Sequence, residues 1–227
     1  MTHPTAARDD AAPPPRRRLT TALLAVIAVG LLVAGGGLAV GLGIGRTETP
    51  AADSVDAGFA RDMSRHHLQA VEMANLTLQR TQDAEVRRLA FDISATQTNQ
   101  VGRMQGWLSL WGLPPSGSKV MAWMSADADS MPDAAAAADG AVMPGMATEA
   151  ELAELRSLSG TELDVRFLKL MMRHHQGGLE MAQYGHAHAT QPAVRTLARS
   201  IAETQAAETA TMEDMLRARG AAPLPAP

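Results

Sequence analysis

The sequence predicts an all-α protein: one N-terminal transmembrane helix, then a four-helix bundle made of two duplicated helical hairpins joined by a long crossover. Three observations carry this. The phrase Met63, Arg65, His66, His67, Glu72, Met73, Ala74 recurs as Met171, Arg173, His174, His175, Glu180, Met181, Ala182 at a constant offset of 108 residues. Apolar positions in both halves follow spacings of three and four, and period-two runs of β-branched residues are lacking. An uncharged stretch from Leu19 to Ile44 stands apart from both repeats.

The N-terminal elements come first. Arg16, Arg17 and Arg18 precede the uncharged stretch, which as a helix spans roughly 39 Å at 1.5 Å per residue, enough to cross a bilayer with tilt. By the positive-inside rule residues 1–18 form a short cytoplasmic basic tail and residues 19–45 the anchor, with a linker over 46–52. The C-terminal domain then lies outside the cytoplasm, on a single-pass cell-membrane protein. Ala39 and Gly41 make the small-x-small pair of a cleavable signal, and cleavage would give an exported form in the same compartment.

The bundle domain is expected over 53–220, with repeats at about 53–112 and 159–220 and a Met-containing linker over 113–158. Its first helix runs from about Asp53 to Arg80, with Phe59, Met63, His66, Ala70, Met73 and Thr77 on one stripe. Asp83 caps the second, which carries Val86, Leu89, Ile93, Gln97, Met104 and Leu108 inward and stops at Gly112, Pro114 and Pro115. The linker is rich in Ala, Asp, Gly, Ser and Pro, so most of it reads as irregular, with one turn of helix at Ala134–Ala138. Thr148 with Glu151 offers a capping box for a short helix to Leu158, and Ser159 with Glu162 another for the third bundle helix, ending near Ala189. Pro192 suits the first turn of the fourth, which ends at Gly220 before a Pro-rich tail over 221–227. Each hairpin is too apolar on one face to stand alone, and the long crossover between helices two and three is the ferritin-like connection.

Composition narrows the function. The 227 residues leave one modest core once anchor and linker are set aside. Net charge is −4, no basic cluster follows the N-terminus, and aromatic residues are few, so nucleic-acid binding has little support. Cysteine is absent, which excludes disulfides, thiolate zinc sites and cysteine nucleophiles. The fourteen methionines are individually ordinary core fillers, and only their position beside histidines marks some of them out.

Helix geometry turns the doubled phrase into a candidate site. At 100° per residue Met63, His66 and His67 share an arc, whereas Glu72 points nearly opposite Met63. Glu72 and Glu180 are therefore expected outside the ligand set, pairing with an arginine such as Arg65 or Arg173. If the first hairpin turns near Gln82, His67 lies beside Gln97 and Met63 within a turn of Met104. The second hairpin puts His175 level with Gln205 and Met171 near Met212. The expected principal ligands are His66, His67, His174 and His175, with Met63, Met171, Met104 and Met212 as soft partners, gathered at one end of the bundle. A secondary set comprises His186 and His188, which lie two apart on a helix and chelate together only if it frays. The M-x-x-M pairs Met121/Met124 and Met143/Met146 are either mobile capture ligands or loop packing, and Met131 joins them in the linker.

Thioether sulfur is soft and imidazole intermediate, so this donor set suits Cu(I), with the histidines able to retain Cu(II). Calcium and magnesium need several oxygen ligands, and catalytic zinc normally takes three His or carboxylate ligands.

The phrases at Met63–Ala74 and Met171–Ala182, the Met143-Pro144-Gly145-Met146 linker and the lead Gly160-Thr161-Glu162-Leu163-Asp164 resemble the domain of unknown function 305 family over about Asp53 to Gly220. The resemblance implies a ferritin-like bundle, often exported or membrane-anchored, and similarity to the copper-binding CopM-type members. Where members often have Pro before the His pair, this chain has Arg65 and Arg173. The expected function is thus an extracytoplasmic copper-binding protein that sequesters copper or hands it to a copper-transfer protein, without turnover of its own. A di-iron or di-manganese oxidase is the enzymatic alternative, but its Glu-x-x-His motif does not occur. A metal-free, membrane-anchored interaction module is the third.

Overall fold

The computed structural model describes residues 15–42, 49–117, 119–124 and 134–227, and every regular element among them is helical. Met131 and most of the basic tail fall outside the described residues. The chain divides into two units, Met1–Glu48 and Thr49–Pro227. The first holds α1 (Pro15–Gly41), whose segment Leu19–Gly41 has a mean hydropathy of 2.5 and is long and apolar enough to cross a membrane.

The second unit contains the bundle helices α2 (Val55–Arg80), α3 (Ala84–Leu110), α6 (Gly160–His188) and α7 (Pro192–Ala218), with α4 (Ala134–Ala138) and α5 (Glu149–Ser157) in the crossover. Local chemistry sets most boundaries. Ser54 caps α2 by accepting from the Ala57 N–H, and Asp83 caps α3 by accepting from Glu85 and Val86. Thr148 and Glu151 form the expected capping box on α5, and Pro192 opens α7. Gly112 and Gly220 end α3 and α7 with φ of +67° and +63°, the left-handed conformation glycine adopts without strain. The Ser159 capping box does not form: Ser159 makes no side-chain cap bond. Gly160 follows it at φ +57°, so the tight corner between α5 and α6 is made by backbone conformation.

Helices α2 and α6 pack against each other at the centre, α3 flanks α2 and α7 flanks α6, while α3 and α7 approach each other less closely. Two apolar clusters fill the interior. One gathers Met73, Ile93, Leu163, Phe167, Met171, Met212 and Leu216; the other Phe59, Met63, Met104, Leu108, Met143, Met181 and Ile201. Leu224 of the Pro-rich tail packs on the first.

Buried carboxylates tie the ends together. Asp56 accepts from the Thr190 N–H and hydroxyl and from the Gln191 N–H, pinning the start of α2 to the α6–α7 turn. Asp62 accepts from the Met121 N–H at 2.7 Å and the Trp123 indole N–H at 2.8 Å. Burial pushes its carboxyl above the ordinary value against those two bonds. The linker is consequently far less irregular than its composition suggests. Met121, Trp123, Met143 and Met146 are core residues, and Trp123 occupies the space a Cβ on Gly58 would need.

Candidate metal centre

The two His-His pairs of the doubled phrase form a polar belt across the middle of the bundle. On α2 the residues before it (Phe59, Met63) belong to one apolar cluster and those after it (Ala70, Met73) to the other; α3, α6 and α7 switch cluster at the same height. The side chains at the switch are His66 and His67, Gln97 and Gln100, His174 and His175, and Gln205 and Glu208. All four histidines are completely buried.

Because α2 and α6 run antiparallel, the equivalent residues of the repeats face each other across the centre. The His66 and His174 rings stack with centroids 3.7 Å apart, tilted by 37°. The same geometry sends Met63 and Met171, each three residues before its histidine, in opposite directions. Met63 and Met104 therefore border the belt in one cluster, Met171 and Met212 in the other. The structure places the methionines on both rims of a central belt, where the sequence reading had gathered them at one end.

The hydrogen bonds fix the imidazole tautomers. His67 donates its Nε2–H to Gln100 Oε1 at 2.7 Å, His175 to Glu208 Oε2 at 2.6 Å, and His66 to the Pro144 carbonyl at 3.1 Å. Each partner is an acceptor, so Nε2 carries a proton in all three rings, and in the neutral rings of His66 and His67 Nδ1 carries the lone pair. The Nδ1 atoms of all four histidines are buried without a partner, and His174 lacks one at Nε2 as well. The expected neighbours of His67 and His175 were Gln97 and Gln205; the partners are one turn further on. Side chains lean toward the N-terminus of their own helix, which in an antiparallel pair shifts the meeting point by about a turn. Gln97 Oε1 and both amide atoms of Gln205 are left unpartnered, each residue 3% exposed.

Burial sets the charge state. Desolvation pushes His66 down to about 4, opposed by its bond to Pro144, and His67 down to about 3, helped by the nearby His66. Desolvation, then the neighbouring histidines, holds His174 well below its ordinary value. These imidazoles are neutral at pH 7, the form that coordinates metal without releasing a proton.

The remaining sequence-predicted residues are placed as follows. Glu72 and Glu180 are exposed and outside the belt, but Glu72 pairs with Arg156 of α5 rather than with Arg65. Arg173 pairs with Glu151 of α5, bracing the crossover against α6. His186 donates from Nδ1 to the Arg195 carbonyl, while His188 stacks on Tyr184 at 4.2 Å, so α6 holds the two apart. Met143 and Met146 are buried in the apolar cluster beside Met63. The Gln100 and Glu208 acceptors went unseen, although their separation is the repeat offset itself. Among the described residues no three His, Asp or Glu side chains converge as a ready-made metal-binding group. The imidazoles are paired and stacked, and the nitrogens left over have no hydrogen-bond partner.

The profile of the domain of unknown function DUF305 matches residues 56–216. The chain belongs to the DUF305 family. A DUF305 protein of Streptomyces coelicolor, named as a candidate secreted protein, is 47% identical, with a TM-score of 0.67 over 75% of this chain and 96% of its own. A DUF305 fragment from Deinococcus radiodurans is 36% identical, with a TM-score of 0.58 over 71% and 95%. CopM in its Cu(I)-bound form is 23% identical, with a TM-score of 0.54 over 71% of this DUF305 chain and 95% of CopM, a likeness of fold. No curated protein matches.

Proposed function

We propose that this DUF305 protein is an extracytoplasmic copper-binding protein that sequesters copper or passes it on. The observation that carries the reading is the set of unpartnered Nδ1 atoms on four fully buried histidines. A buried polar atom without a partner costs on the order of 1–3 kcal/mol, a cost that ligation of a cation removes. Imidazole nitrogen with thioether sulfur on both rims favours Cu(I), and the histidines can retain Cu(II). Second-layer acceptors on Nε2–H orient metal-binding histidines, which is the role open to Gln100, Glu208 and the Pro144 carbonyl. His66, His67, His174 and His175 are the principal ligands, and Met63, Met171, Met104 and Met212 the soft partners. The fold shared with CopM, which is known in Cu(I)-bound and Cu(II)-bound forms, supports copper as the cargo. The α1 segment supports a membrane-anchored or exported location. His186, His188, Met143 and Met146 add capacity only if α6 frays or the linker lifts.

The test is stoichiometric uptake. Copper-free protein purified without an affinity tag should take up Cu(I) at a defined ratio, and replacing all four belt histidines with alanine should abolish tight binding. Unchanged affinity in that variant sinks the proposal. The oxidase reading finds no comparable support, since Glu208 is the single carboxylate of the belt and such sites need several.

A further inference from the structure

We infer that the cation reaches the buried imidazoles through the seam between α3 and α7, with Glu208 as its first anchor; this rests on the copper reading above. An ion bound by completely buried histidines has to cross a wall of the bundle. Three walls are closely packed helix pairs, α2 with α3, α6 with α7 and α2 with α6. The outer side of the α2–α6 pair is strapped by the crossover. The Pro144 carbonyl accepts from His66, Gln69 bonds both the N–H and the carbonyl of Ala147, and a Cβ on Gly177 would lie 2.1 Å from the Pro144 oxygen. That side is sealed by backbone.

The α3–α7 seam differs in both packing and chemistry. A cleft of ≈ 10 Å³ opens there, about the room one water needs, and its polar lining is Thr96, Gln97, Gln100, Thr204, Gln205 and Glu208. The lining forms a gradient from solvent to belt. Thr96 is exposed, Thr204 half-buried, Glu208 18% exposed at its side chain, and Gln97 and Gln205 buried. A cation entering the belt sheds its water stepwise and needs replacement oxygens at each step. Threonine hydroxyls, the free Gln97 and Gln205 carbonyl oxygens and one carboxylate supply them. Glu208 is the only ionisable residue of this lining, and it already touches His175, so an ion held there is one contact from an imidazole.

Stopped-flow quenching of tryptophan fluorescence by Cu(II), on the full chain in detergent micelles, tests the route, with affinity measured separately by competition titration. Thr204→Phe should fill the cleft and slow uptake and release together by tenfold or more, leaving Kd within twofold, since a route changes rates and not end states. Glu208→Gln, nearly the same shape without the charge, should slow uptake several-fold, and Glu208→Asp should restore part of that rate. Gln69→Ala, which loosens the strap, should leave uptake unchanged. If Thr204→Phe fails to fold, Thr96→Phe narrows the seam from the opposite wall. Wild-type rates in the filled variants, or faster uptake in Gln69→Ala, overturn the route while leaving copper binding intact. Wild-type protein that takes up no copper at equilibrium overturns the copper reading, and the route with it.

Discussion

Replacing His174 with leucine should stabilise the copper-free protein. His174 is fully buried between two apolar clusters, and neither ring nitrogen has a partner. One of those nitrogens carries a hydrogen with no acceptor, a loss of about 1–3 kcal/mol that an apolar side chain of similar size avoids. Against this stands the stack on His66, worth about 0.5–1.5 kcal/mol by analogy with aromatic pairs. The net expectation is a gain of about 1 kcal/mol, which for a domain of this size raises Tm by roughly 2–4 °C. Urea unfolding followed by circular dichroism, with chelator present, measures it. A second arm adds copper: a site with free ligand at about 100 times Kd stabilises by about 2.7 kcal/mol, and the wild type should show this while His174→Leu shows much less. Destabilisation of the copper-free variant by more than about 1 kcal/mol, or an equal gain from copper in both proteins, would refute the reasoning.

Three further outcomes follow from the same geometry. His66, His67 and His174 titrate below their unfolded value of about 6.5, so between pH 6.5 and 3 the unfolded chain binds more protons than the folded one. Copper-free stability should thus be complete above pH 6.5 and fall by up to about 4 kcal/mol per pH unit near pH 5; urea midpoints that stay flat from pH 7.5 to 5 contradict this. Gly177→Ala should destabilise by about 1–3 kcal/mol because its Cβ meets the Pro144 carbonyl, whereas Gly102→Ala on α3, with nothing within 4 Å, should stabilise by up to about 1 kcal/mol. Thermal denaturation of the pair checks the opposite signs. Asp56→Ala removes the buried acceptor of three part-buried bonds and should cost on the order of 3 kcal/mol, with Thr190→Ala costing less.

The residues that were legible in the sequence are those whose role is local. Asp83, Thr148 with Glu151, Pro192, Gly112 and Gly220 act within a turn of their own position, and all sit where propensity puts them. The histidines were legible because they are doubled. What failed needs long-range partners. Linker composition hides that Trp123 and Met121 are buried, because their holders are Asp62 and Gly58 on α2. The exposed Glu72 finds Arg156 only because the crossover lays α5 beside α2. The division of the methionines between two clusters follows from the direction of α6 relative to α2, which spacing along one helix does not contain.

Two departures from symmetry at the belt have one cause in common. A duplicated hairpin supplies two equivalent helix pairs, but the chain connecting them passes only once, over one side of the α2–α6 pair. At that crossing His66 gains the Pro144 carbonyl, while its repeat equivalent His174, on α6, gains nothing and keeps both nitrogens free. The same crossing explains positions 69 and 177, which the repeat makes equivalent: Gln69 reaches out to hold Ala147, and Gly177 has no side chain because the Pro144 peptide occupies its place. Symmetry is broken again at Gln100 and Glu208, where one repeat offers its histidine a neutral acceptor and the other a carboxylate. One imidazole is thus left uncommitted and another is backed by a carboxylate, so under the proposed copper reading a cation arriving at the belt would meet two unequal half-sites rather than a duplicate pair. A single ion bound between the halves, engaging His174 on α6 directly, follows more naturally from that inequality than two independent ions. Titration of His174→Ala separates the two arrangements, since one shared site loses all tight binding while two separate sites lose half.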